Sequence, residues 1–401
     1  MRLWPFYSDA AAEQVTALIR AGSLAAMVKT PEIASCEAQL TEALAPTHEA
    51  LLCTSGTAGL ATAYAALGLE RGSEVLVPAH TFRATVTPLL MLGLRPVLCD
   101  CDPKTGNVDL ADAERRITAR TQALAVTHVW GRPVPLDTAR ELADRRGLAL
   151  VEDCSHAHGV HWRGRPVGTA GDVAVFSLGT TKMVSGGMAG AVLTGDRGTF
   201  ERAVAFGQPK HRGLADVQQP ALRALLETGV GNNFRVSPIA AVLVADHLTR
   251  LPATLALRER NLAAVTEHAR LLPGLEPVAT GPDRTAGTLY KLHFRWRGRA
   301  SADDVVALLR GLGVRVRRPQ AGLHRTPLFQ RPELLAAFPS VPSFDACDPA
   351  AFPQTDRFLT DLVEFDGLDL YEDDPQAVAR YARAFQTAAD RLDADTQGAP
   401  C

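Results

Sequence analysis

Residues 148–182 read LALVEDCSHAHGVHWRGRPVGTAGDVAVFSLGTTK, and the fold turns on this stretch. It holds two short apolar runs, 148–152 and 172–176, of the length and β-branched content of buried strands. No long helix fits between them. Working outward, further runs at 50–53, 74–77, 95–98, 122–127 and 190–194 alternate with Ala/Leu-rich amphipathic stretches at 57–67, 83–92, 110–117 and 138–146. Strand–helix alternation at this spacing predicts βαβ units, hence an α/β fold with a mainly parallel sheet and helices on both faces. In such a sheet, loops at the carboxyl ends of the strands form the binding crevice.

Beyond residue 237 the pattern changes. Two helices are predicted, 238–251 and 253–272, then a Gly/Pro-rich break, PGLEPVATGPDRTAG (273–287). A strand at 289–296 leads to a helix opened by S-A-D-D (301–304), where Ser301 can cap and Asp304 sits in the first turn. A short strand at 314–316 and a last helix from 374 to about 392 complete a smaller α+β unit. The expected division is a large domain over 1–250 and a small one over 251–401, with a frayed tail at about 393–401.

Composition narrows the function classes. The 401 residues are 46% apolar and 21% charged, which excludes a disordered chain. A net charge of −2 gives no global attraction to nucleic acid or an anionic membrane. The longest apolar run, about 86–94, is far short of the roughly 20 residues that span a bilayer. The N-terminal MRLWPFYSDAAAEQ lacks the apolar core of a secretory signal. Seven cysteines without a C-x-x-C pair read as reduced thiols in a cytoplasmic protein. The C-D-C at 99–101 has no second pair to complete a metal site. Only five lysines occur, so few residues can do a job that needs an amine.

Three local features bear chemistry. Thr54-Ser-Gly-Thr-Ala-Gly follows a predicted strand and opens a helix. It suits a phosphate on the helix N-terminus, or it is simply a capped turn. Asp153 ends an apolar strand and needs a cationic partner if buried. His156, His158 and His161 follow it, but no further ligand of suitable spacing makes them a metal set. Lys182 lies in the loop after Ser177 among small and hydroxyl residues. It is a solvated surface lysine, or an amine whose pKa is lowered for use as nucleophile or base. A phosphate cradle, an acid and a lone lysine on one crevice are what a pyridoxal phosphate enzyme needs, and Phe82 offers an aromatic face for the ring.

With these motifs in place, the chain resembles the DegT/StrS-type sugar aminotransferases, within the fold type I (aspartate aminotransferase-like) pyridoxal phosphate enzymes. The matching pieces are TSGTAGL (54–60), VPAHTFRAT (77–85), VEDCSHAHG (151–159), VGTAGDVAVFS (167–177), Lys182 and GNNFRVSPIAAVL (231–243). The resemblance is close over about 4–270 and looser beyond. It implies that Lys182 is the Schiff-base lysine and that Asp153 pairs with the pyridine nitrogen. It implies that His156 lies beside the ring oxygen, that Phe82 stacks on the ring, and that Ser55, Gly56, Thr57 and Ser177 hold the phosphate. Asn233 would reach the phosphate of a neighbouring subunit, making a homodimer with shared sites. Arg235 would serve a substrate carboxylate or the structure.

The implied activity is transfer of an amino group from glutamate or glutamine to a keto-sugar or keto-cyclitol, in natural-product or cell-surface sugar biosynthesis. Two departures from the family pattern stand out. Leu178-Gly179-Thr180-Thr181 occupies a place where many members have an aromatic and Pro, and Met188 stands where the related subgroup has an acid. They leave elimination, substitution or cyclisation on the same scaffold as the alternative reaction.

Overall fold

The structure is a computed structural model and describes residues 3–25, 27–229, 231–281, 283–338, 341–342 and 344–397. Its centre is a seven-stranded sheet in the order Glu49–Cys53, Gly190–Thr194, Val173–Ser177, Ala149–Asp153, Thr121–Thr127, Glu74–Pro78, Arg95–Cys99. All pairings are parallel except those of Gly190–Thr194, which runs antiparallel to both neighbours. The strands are apolar through most of their length, with polar residues mainly at their ends, because both faces are covered. Alternate side chains go to opposite faces, as a two-residue period requires. Leu52 and Phe176 join a core with Leu40 and Val244, while Leu51 and Val175 join a core with Tyr64 and Phe200.

The strands predicted for this sheet all appear, shifted by at most one residue at either end; the later ones start further on, 289–296 as Leu292–Trp296 and 314–316 as Val316–Arg317. The predicted helix at 83–92 does not. A single turn, Arg83–Thr85, precedes a short helix, Thr87–Met91. Pro88 explains this, since proline is accommodated in a first turn but not inside a helix. The result places Phe82 and Thr85 on an irregular segment facing the sheet's carboxyl edge. Two N-terminal helices not foreseen, Asp9–Arg20 and Pro31–Leu44, are capped by the Ser8 and Thr30 hydroxyls.

The two helices predicted over 238–272 are one, Pro238–His268, with Pro252 inside it. Packing against Pro31–Leu44, Asp9–Arg20 and Pro375–Gln397 holds the helix together across the proline, outweighing the lost backbone bond. The expected boundary at 250/251 therefore falls within a helix. With its following turn, this segment is also the one among the described residues that is long and apolar enough to cross a membrane, contrary to the shorter run expected. In the fold its inner face, including Val244, Leu248 and Leu251, is core.

A second, four-stranded antiparallel sheet has the order Leu275–Pro277, Leu292–Trp296, Leu362–Phe365, Val316–Arg317. Leu275–Pro277 lies inside the predicted Gly/Pro break, and Leu362–Phe365 was not foreseen. Both are too short to show a period and exist through non-local pairing. Ser301 caps Ala302–Gly311 by accepting from the Asp304 N–H at 3.1 Å, as predicted. The last helix runs to Gln397, beyond the expected 392, and residues 398–401 lie outside the described ones.

Candidate active site

A cavity of about 610 Å³ opens where the carboxyl ends of the large sheet's strands meet the small sheet. Ser55, Gly56, Thr57, Phe82, Asp153, His156, Ser177 and Lys182, all singled out from sequence, line it. Asn233 and Arg235 do not. Asn233 is exposed, in a segment pinned by the Thr54 N–H donating to the Phe234 carbonyl at 2.9 Å. Arg235 touches the Met27 sulfur.

Lys182 sits in the loop between Val173–Ser177 and Gly190–Thr194. Its carbonyl accepts the Trp4 indole N–H at 2.7 Å, and its Nζ lies 4.5 Å from the centre of the Tyr290 ring. Burial pushes the amine down to about 8, against the opposing pull of Asp153 and with a further push from Lys291. A useful fraction of it is therefore unprotonated near neutral pH.

Asp153 ends the Ala149–Asp153 strand, buried. One carboxylate oxygen accepts the Thr85 hydroxyl at 2.8 Å and the other the Ser155 N–H at 3.1 Å. His156 stacks on Tyr290, ring centres 4.8 Å apart and planes 15° apart. Its Nδ1 accepts the Trp130 N–H at 3.3 Å, and burial, with Lys182 and Lys291 nearby, holds its pKa well below the ordinary value. The ring is thus neutral, and Nε2 carries its proton.

The loop at 54–57 is shaped by close approach. Ser55 caps the helix Gly56–Ala66, accepting the Ala58 N–H at 3.0 Å. The first N–H groups of that helix have no intrahelical acceptor, which suits an anion. A Cβ on Gly56 would fall 2.8 Å from the Ser177 Cβ, and one on Gly190 would fall 2.4 Å from the Ser55 backbone. Only glycine lets these three segments converge. Ser177 is held from behind by His158, whose Nε2 donates to its carbonyl at 3.0 Å.

His156, His158 and His161 do not converge. Among the described residues, metal-type atoms converge at His128, Glu152 and Cys154. There Glu152 already accepts His128 Nε2 and the N–H groups of Gly168, Ala170 and Gly171. His128 Nδ1 accepts the Val134 N–H. The lone pairs are taken, so this cluster ties strand to loop.

Sequence reasoning missed the cavity's other wall: Trp130, Tyr290, Lys291, Arg317 and Glu364. The Tyr290 hydroxyl and the Thr181 hydroxyl are 2.8 Å apart, joining the two walls beside Lys182. One signal was present. Lys291, His293 and Arg295 alternate with Leu292, Phe294 and Trp296, a basic stripe along one face of a strand.

A loop lysine with a lowered pKa, an acid at a strand end and a glycine-built helix N-terminus on one cavity define an α/β enzyme fitted to pyridoxal phosphate. The profile of the DegT/DnrJ/EryC1/StrS aminotransferase family matches residues 8–344. The chain belongs to that family and is a pyridoxal phosphate-dependent aminotransferase. Among its relatives is the L-glutamine:scyllo-inosose aminotransferase of Streptomyces griseus, 32% identical, with 97% of this chain and 94% of the relative covered. Another is the L-glutamine:2-deoxy-scyllo-inosose aminotransferase of Streptomyces kanamyceticus, 30% identical over 90% and 88%. The structure of an aminotransferase from Psychrobacter cryohalolentis shares the fold, with a TM-score of 0.83, 23% identity, and 98% and 99% of the two chains covered.

Proposed function

We propose that this aminotransferase moves the amino group of glutamine to the ketone of a cyclitol of the scyllo-inosose class. The observation that supports this best is similarity to glutamine:cyclitol aminotransferases over nearly the whole chain, together with a cavity that gathers Lys182, Asp153 and a polar opposite wall. The cofactor, when bound, supplies the electron sink for charge developing at the substrate carbon.

The chain's own residues do the rest. Lys182 Nζ anchors the cofactor and then carries a proton to and from the reacting carbon, which its lowered pKa favours. Asp153 holds the proton on the cofactor's ring nitrogen, its own position set by Thr85 and Ser155. His156 Nε2 would donate to the ring oxygen of the bound cofactor. Phe82, 44% exposed at the cavity edge, would supply an aromatic face for the cofactor ring. Ser55, Gly56, Thr57 and Ser177 hold the phosphate. The test is to supply the purified protein with cofactor, glutamine labelled in its α-amino group, and scyllo-inosose. Labelled aminocyclitol by mass spectrometry is the expected product. No label in any keto-cyclitol tried, alongside loss of the glutamine amino group to another ketone, would remove the acceptor assignment.

We also read the active unit as a cytoplasmic homodimer with shared sites. The six described cysteines are unpaired thiols, in keeping with a reducing compartment. Ile19, Leu24, Met27 and Val28 are each about half exposed in the single chain. Leu24 is joined to the 233–237 segment by the Ser237 hydroxyl, which donates to its carbonyl at 2.8 Å. Such an apolar patch beside Asn233 and Arg235 fits a self-interface that delivers Asn233 to the partner's phosphate. Arg235 is then an interface residue or a substrate-carboxylate ligand across it. Mixing Lys182→Ala with Asn233→Ala subunits should restore activity above either parent, since one hybrid site carries both lesions and the other none. Absence of recovery despite proven exchange would place Asn233 within its own site.

A further inference from the structure

The small sheet carries a charge pattern that the roles above leave unused. Three residues stand in one cross-strand row, because His293 pairs with Glu364 and Glu364 pairs with Arg317. Lys291 lies two residues before His293 on the same face. One Glu364 oxygen accepts from Lys291 Nζ at 2.7 Å and from Arg317 Nε at 2.5 Å; the other is 3.2 Å from His293 Nε2. Lys291, Arg317 and Glu364 all line the cavity.

Counting charge settles what this wall lacks. Burial opposes ionisation of Glu364, but His293 and Lys291 hold it well below the usual carboxylate range, so it is an anion. Burial pushes His293 down to about 3 despite Glu364, so it is neutral. Two cations therefore share one anion. The neighbouring Arg315 and Asp366 form a closed pair, with Arg315 Nη2 2.7 Å from the carboxylate, and neutralise one another. The wall keeps one positive charge uncompensated. Lys291 Nζ lies 5.5 Å from the centre of the same Tyr290 ring that Lys182 approaches at 4.5 Å. The surplus charge and Lys182 thus approach the same ring. An α-amino acid likewise carries a carboxylate beside its amino-bearing carbon, so a donor whose amine meets Lys182 presents a negative charge to its surroundings. An uncharged cyclitol gains nothing from a net cation, whereas a carboxylate gains a charge-assisted hydrogen bond.

We propose that Lys291 and Arg317, spread and oriented by Glu364, form the subsite for the α-carboxylate of the amino donor. This rests on the reading of the cavity as a glutamine-dependent aminotransferase site. Glutamine has one carboxylate, so its charge and its amine are directed to different cavity walls. Glu364 is a positioning residue, and the two cations set donor specificity.

The test is calorimetry on the holoenzyme with 5-amino-5-oxopentanoate, which is glutamine without its amine, and with the uncharged pentanediamide. Wild type should bind the acid saturably and the diamide at least about tenfold more weakly, the worth of one charge-assisted contact. Lys291→Met should weaken acid binding by about tenfold or more while leaving diamide binding unchanged, Arg317→Met should do the same, and Lys291→Arg should recover most of the loss. In steady state, the KM for glutamine should rise in Lys291→Met with the KM for the keto-cyclitol unchanged. Thermal melts identify a variant that has not folded, and Arg317→Met, or Lys291→Gln in place of Lys291→Met, then carries the comparison. Equal binding of acid and diamide to wild type, unaltered acid binding in both methionine variants, or an equal rise in both KM values would overturn the proposal. If the aminotransferase reading itself fails, glutamine yields no aminated product with wild type. The preference for acid over diamide is still read by calorimetry.

Discussion

Lys182→Ala should lose essentially all transfer activity, a fall of about 10⁴-fold or more, because in the proposed mechanism Lys182 serves both as the cofactor's anchoring amine and as the proton carrier. The remaining described lysines cannot take over. Lys29 and Lys210 pair with Glu37 and Glu227 away from the cavity, and Lys291, which does line it, is held on the opposite wall by Glu364. Lys104 does not line the cavity. The variant should fold, since the Lys182 backbone contacts to Trp4 and Gly179 do not use the side chain. Borohydride reduction followed by intact-mass measurement gives a readout apart from turnover. Wild type should gain the mass of the cofactor on the peptide containing Lys182, and the variant should gain none. A cofactor adduct on any other lysine would reassign the role.

Asp153→Asn is the second large effect. The amide is the same size: its single oxygen can still accept the Ser155 N–H, and its NH2 can donate to the Thr85 hydroxyl oxygen, so folding and the pocket's shape should survive. It carries no charge, so it cannot keep a proton on the ring nitrogen, and the electron sink weakens. The proton-transfer step should slow by about 10²-fold or more, equivalent to roughly 3 kcal/mol at the transition state. Single-turnover absorbance changes on mixing with glutamine measure this directly. A rate within about twofold of wild type, well under 1 kcal/mol, would take Asp153 out of the role. A second consequence separates charge from shape. Asp153 is the group that opposes the burial-driven fall of the Lys182 pKa, so in the cofactor-free variant that amine should titrate lower still.

The residues read from sequence and those supplied by the fold divide along a physical line. Strands covered on both faces must be continuously apolar, and this local rule made the large sheet legible nearly residue by residue. A polar residue at the end of such a run stands out, which is why Asp153, Ser177 and the loop lysine could be singled out before any coordinates. Glycines that admit a close backbone approach, Gly56 above all, are equally local signals. The opposite wall had no such signature. Leu362–Phe365 is four residues long, and its Glu364 reads as an ordinary surface acid until pairing sets it between His293 and Arg317. Trp130 adopts φ 57°, which no local pattern announces. The break expected at Pro252 failed for the same reason, because packing of the helix along three others outweighs one missing hydrogen bond. Sequence alone determined the sheet and the residues that line the cavity at its carboxyl edge, since burial and backbone sterics act on near neighbours. Tertiary structure alone decided which charges face Lys182, because those pairs join residues 47 to 73 positions apart that meet only when the small sheet closes.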